Sequence, residues 1–118
     1  MRIFLAICLC TPLMANAGGL ACHFVTECIE SEACADSDYD FEVSWKSERH
    51  EVITVITPSE TTGGRIERRE GDATTVVAEG DNAMHLLTVS PDGEARYSVH
   101  IFDGPMSISY LGRCEEAM

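Results

Sequence analysis

Turn-forming residues punctuate this chain about every ten positions from Tyr39 to its end, and no other feature constrains the fold as tightly. The signals are Pro58 with Gly63-Gly64, Gly71-Asp72, Gly80-Asp81-Asn82, Pro91-Asp92-Gly93 and Asp103-Gly104-Pro105. All are rich in residues that tolerate or impose turn dihedrals. The short segments between them suit a β-meander rather than packed helices.

Alternation supports strands. Tyr39, Phe41, Val43 and Trp45 share one parity while Asp40, Glu42, Ser44 and Lys46 share the other, so this strand has one wet face. Ala95, Tyr97, Val99 and Ile101 repeat the pattern, as do Met106, Ile108 and Tyr110. The stretches Val52 to Thr57, Thr74 to Glu79 and Met84 to Ser90 are richer in β-branched and apolar residues on both faces, a pattern of strands that sit centrally or under cover. Arg65 to Arg69 has Ile66 as its one apolar residue and reads as an edge strand or a loop. Leu20 to Asp38 is ambiguous: Leu20, Cys22, Phe24 and Cys28 share strand parity, but Ala21, Phe24, Val25, Cys28 and Ile29 form a helical stripe. A strand is the preferred reading, preceded by a frayed Gly18-Gly19 end.

The first residues set the expected compartment. Met1-Arg2 is a minimal basic start, Ile3 to Leu13 is an almost unbroken apolar run, and Ala15-Asn16-Ala17 offers small residues for a signal peptidase. The run is shorter than the roughly 20 apolar residues of a spanning helix, and Pro12 interrupts it. Residues 1–17 therefore read as a cleaved signal peptide and 18–118 as a single domain, periplasmic or secreted, with no membrane span left after cleavage.

Cleavage would remove Cys8 and Cys10 and leave Cys22, Cys28, Cys34 and Cys114. An even count in a small exported domain implies a disulfide framework. Of the three connectivities open to four cysteines, Cys28 to Cys34 with Cys22 to Cys114 is favoured. The first closes a local loop, and the second ties the first element to the last, which a meander curling into a barrel makes neighbours. In the chain-entropy model these links contribute roughly 2 to 3 and about 4 to 5 kcal/mol. The expected fold is all-β, an antiparallel meander of six to eight short strands forming a small barrel or strongly curled sheet, stapled by disulfides.

Charge narrows the partners. The formal net charge of -12 becomes -13 once Arg2 is removed, and no Lys or Arg stands between Glu27 and Glu42. Nucleic acid and acidic membrane surfaces are disfavoured, while basic proteins and cations are favoured.

Chemistry-bearing patterns are few. Asp36-Ser37-Asp38-Tyr39-Asp40 opens like a calcium loop, but Phe41 stands where a glycine is needed and Ser47 where a bidentate Glu is needed. Asp36, Asp38 and Asp40 remain weak metal candidates beside the plainer reading of a solvated acidic loop. Zinc at Cys22, His23, Cys28 and Cys34 would require wider spacing than zinc sites use. Copper at the histidines with Met84 and Met106 is opposed by Met84 and His85 pointing to opposite faces. No cofactor is predicted. There is no G-x-S-x-G, no H-E-x-x-H and no cysteine left free after pairing, which points away from an enzyme. Trp45, Tyr39, Tyr97 and Tyr110 read as core, or as the lining of a pocket if the sheet closes.

The ending Tyr110-Leu111-Gly112-Arg113-Cys114, with Glu115-Glu116 after it, resembles the close of uncharacterised small exported four-cysteine bacterial proteins, a resemblance that implies no activity. Gly93-Glu94-Ala95-Arg96-Tyr97 is similar to a segment of the periplasmic inhibitors of chicken-type lysozyme, which are eight-stranded barrels. Ser98 to Phe102 stands where that family has a tryptophan-containing strand. That resemblance implies a basic lysozyme as partner, which an acidic domain suits. The leading expectation is a protein-interaction module of the cell envelope. A small-molecule or cation-binding barrel and a lysozyme-inhibitor-like protein are the alternatives.

Overall fold

The computed structural model describes residues 18–46, 53–68 and 71–117. The expected signal peptide lies outside the described residues, as do Val52 and His50. Eight strands follow in chain order: β1 Gly18–Ile29, β2 Ala35–Trp45, β3 Ile53–Ile56, β4 Thr61–Arg68, β5 Thr74–Glu79, β6 Ala83–Val89, β7 Glu94–Ile101 and β8 Met106–Ala117. Each pairs antiparallel with the next, and β8 returns to β1. The meander therefore closes into a barrel, which removes the open edges that a flat sheet would expose.

Period-two alternation builds the interior. Phe24, Phe41, Val55, Leu87 and Tyr97 come from five different strands and have no exposed surface. The partners of that parity face outward: Asp40, Glu42, Thr88 and Arg96 are all exposed. Burial of this kind is the main force holding so small a domain together.

Both cross-links pair as expected. Cys22 and Cys114 face each other across the β1–β8 seam and are joined, and Cys28–Cys34 closes the connection between β1 and β2. The turn glycines are also where expected. Gly71, Gly93 and Gly104 all have positive φ, at 74°, 95° and 97°. Gly93 ends a Pro91-Asp92-Gly93 loop closed by its own N–H donating to the Ser90 carbonyl, a common three-residue hairpin with a left-handed last position.

Two glycine pairs differ from expectation. Gly63-Gly64 lies inside β4 rather than in a turn, because β4 and β5 approach so closely that a Cβ on Gly64 would stand 2.6 Å from the Val77 carbonyl oxygen. Gly18-Gly19 is not a frayed end but the start of β1, paired with Trp45 and Ser44. A Cβ on Gly18 would meet the Trp45 indole nitrogen at 2.8 Å.

Strand lengths are unequal, and that shapes one end. β3 has only four residues and pairs with Glu42 to Trp45, so the Ala35 to Phe41 half of β2 has no β3 partner. The Thr57-to-Glu60 hairpin turn occupies that flank. Thr57 N–H donates to the Glu60 carbonyl at 2.9 Å, and the buried Thr57 hydroxyl oxygen accepts from the N–H groups of Ser59 and Glu60.

Candidate functional site

Four connections lie at the same end of the barrel: Glu30 to Cys34, Thr57 to Glu60, Gly80 to Asn82 and Phe102 to Pro105. Between them opens a cavity of about 190 Å³ lined by Tyr39, Ser59, Glu60, Ala83, His85, Tyr97, Val99, Ile108 and Tyr110, among others. Register explains the set. Tyr97 lies opposite Tyr110, and Val99 opposite both His85 and Ile108, so the inward parity of β6, β7 and β8 delivers these side chains as two successive layers.

A polar chain crosses the floor. His85 is only 2% exposed, yet both its ring nitrogens are occupied: Nδ1 lies 2.6 Å from the Tyr97 hydroxyl and Nε2 lies 2.5 Å from Glu60 Oε1. An ionised carboxylate only accepts, so Nε2–H is the donor to Glu60, and Nδ1 makes the second hydrogen bond with the Tyr97 hydroxyl. Burial, foremost, and then the neighbouring Tyr39 push the Tyr97 phenol above the ordinary tyrosine range, so Tyr97 holds its proton. Gly80 makes room for the acid, since a Cβ there would collide with the Glu60 carboxylate.

The aromatic wall is continuous. Tyr39 stacks on Tyr110 with centroids 4.5 Å apart, Tyr97 on Tyr110 at 5.3 Å, and the His85 ring lies parallel to Tyr97 at 5.9 Å. A second acid reaches this end through a backbone irregularity. The β1 register shifts between Phe24 and Thr26, so a bulge at Val25 reverses the parity and sets Glu27 opposite the inward-facing Tyr110. Burial, together with the hydrogen bond and charge of Glu27, raises the Tyr110 phenol above its ordinary value.

The sequence-flagged acids lie elsewhere. Asp36, Asp38 and Asp40 sit in strand β2, not in a loop, and are exposed on the parity opposite to Tyr39. Asp38 and Asp40 flank His23, with Oδ1 atoms 3.2 Å from Nε2 and 2.9 Å from Nδ1. The hydrogen bond that His23 donates to Asp40 leads in raising the His23 pKa, and the Asp38 charge adds to it. Among the described residues no group of three His, Cys, Asp or Glu side chains could hold a metal ion. Met84 and His85 do face opposite ways, with His85 inward.

The Tyr110-Leu111-Gly112-Arg113-Cys114 close has a structural meaning. Tyr110 faces the cavity, Gly112 lets β8 pass the β1 bulge where a Cβ would collide with the His23 carbonyl, and Cys114 seals the seam. A larger concavity of about 480 Å³ at the opposite end lies between the β4–β5 and β6–β7 turns. Of its acids Asp72, Asp92 and Glu116, Asp92 is committed to the turn, accepting from the Ser90 hydroxyl and the Glu94 N–H.

Glu60 and Glu27 are the site residues that sequence reading did not find. Glu60 stands in a turn, and Glu27 enters through a bulge, so neither carries a parity signal. No family model, no curated protein and no solved structure matches the chain.

Proposed function

We propose that this protein is a binding barrel, not an enzyme, and that it takes a small polar molecule at the tyrosine-lined end. One observation carries the reading: the Glu60–His85–Tyr97 chain buried beneath an open cavity. An apolar trio of similar volume in its place would hold the barrel as well or better, because buried ionic groups lose hydration that their mutual attraction only partly restores. Polar groups kept at such a position, in a cavity, favour recognition of a ligand. The cavity is small. A space of about 150 Å³ holds a benzene ring, so 190 Å³ suits a ligand of one ring or a short chain.

Binding is preferred over catalysis because the chain ends on the wrong kind of group. A Glu–His pair could activate a nucleophile, but the Tyr97 phenol has no exposed surface and holds its proton more firmly than an ordinary tyrosine. The two disulfides fit an oxidising compartment, which supports an exported location.

The test is a fragment screen by thermal shift and ligand-observed NMR, run on the wild type and on Ile108→Trp, which fills the cavity while keeping Glu60, His85 and Tyr97. Hits that raise the wild-type melting temperature and vanish in the filled variant are the expected result. A melting temperature unmoved by every fragment would end this reading.

A second reading, a protein-interaction module for a basic partner such as a lysozyme, draws on a different surface. Asp36, Asp38, Asp40 and Glu42 are all exposed along the outer face of β2.

A further inference from the structure

The electrostatics of the same cavity narrow the ligand class, an inference that rests on the binding reading above. Among the described residues no Lys or Arg lines the cavity, whereas a carboxylate and three phenol rings do. Glu60 is the inner acid, with its side chain 15% exposed. Of the four lone-pair directions of its carboxylate, His85 occupies one. Glu27 adds a second negative charge beside Tyr110 at the same end.

The rings act in the same direction. A tyrosine face carries the negative part of the ring quadrupole and attracts a cation, more strongly where water is excluded. An anion would meet the Glu60 carboxylate with no Lys or Arg among the lining residues to offset it. A metal ion would lack ligands, because no group of three suitable side chains exists among the described residues. We propose that the tyrosine-lined end of the barrel binds a small organic ammonium ion, its charge set against Glu60 and its carbon skeleton against Tyr39 and Tyr110, with Glu27 adding a more distant negative charge beside Tyr110.

The barrel's overall acidity would attract any cation diffusely, so the experiment must separate pocket from surface. Three probes share one ring and differ in charge: benzylammonium, benzyl alcohol and benzoate. Calorimetric titration against the full chain is expected to show benzylammonium binding at least about tenfold tighter than benzyl alcohol and benzoate not binding. The preference should persist in high salt, which screens surface attraction far more than buried pairs.

Glu60→Gln should remove most of that preference by lowering benzylammonium affinity far more than benzyl alcohol affinity. Glu27→Gln, at the rim, should reduce it by a few fold and keeps the test usable if the inner variant does not fold. Ile108→Trp should abolish binding of both probes. Equal affinity for the alcohol and the ammonium, or a preference that disappears in salt, overturns the ammonium inference and leaves the pocket standing. Binding of none of the three overturns the inference and the pocket together.

Discussion

His85 keeps an imidazole inside an apolar barrel because both of its nitrogens are engaged, and among the described residues no buried polar side-chain atom lacks a partner. That completeness separates two variants. His85→Ala strands the Glu60 carboxylate and the Tyr97 hydroxyl beside a new void, and the expected loss is about 2–4 kcal/mol. Replacing all three members together, as Glu60→Leu, His85→Leu and Tyr97→Phe, removes every polar group that needs a partner. That triple variant is expected within about 1 kcal/mol of wild type, or above it, while losing ligand binding. Urea denaturation of the two variants decides the matter. If the triple variant is as unstable as the single one, the polar chain is there for the fold, and the argument that it serves a ligand fails.

At the scale of elements, one extra residue in β1 does the most. The bulge at Val25 lets Phe24 and Glu27 both face inward although they are three residues apart, an odd separation that a regular strand forbids. Glu27→Gln tests that placement through Tyr110. This phenol holds its proton more firmly folded than unfolded, chiefly by burial and further through Glu27, so the stability it contributes is complete below about pH 10 and is lost as pH rises above that. Removing the Glu27 charge should lower the Tyr110 midpoint, followed by tyrosinate absorbance, and make the alkaline loss of stability shallower. An unchanged midpoint would mean that Glu27 does not face the phenol. The same bulge explains what could and could not be read in advance. β2, β7 and β8 were legible because Tyr39, Tyr97 and Tyr110 repeat an unbroken two-residue period. β1 resembled a helix as much as a strand because the bulge brings Phe24, Val25, Cys28 and Ile29 to helical spacing. The aromatic half of the site could thus be foreseen as pocket or core, whereas its acids could not. Glu60 reaches His85 across 25 positions through a turn that fits only because β3 is short.

For the molecule as a whole, closure and site lie on different cross-links. Cys22–Cys114 spans a sequence separation of 92 and bolts the first strand to the last, from within the core. Cys28–Cys34 spans 6 and holds the connection at the cavity end, where Cys34 is exposed. Constraint of the unfolded chain grows with the loop closed, so the chain-entropy model assigns the seam about 4.6 kcal/mol and the rim about 2.2 kcal/mol. Against the usual total of roughly 5–15 kcal/mol for a domain, losing the seam leaves little. Binding should respond in the opposite order, because the rim cross-link anchors the strand end that carries Glu27. Cys22→Ala with Cys114→Ala is therefore expected to lower the urea midpoint more than Cys28→Ala with Cys34→Ala, and the rim pair to weaken benzylammonium binding more wherever both variants remain folded. Equal losses of stability would show that the seam is held by its strand pairing alone. The barrel would then owe its closure to the β1–β8 hydrogen bonds and the rings packed behind them, and not to the covalent link.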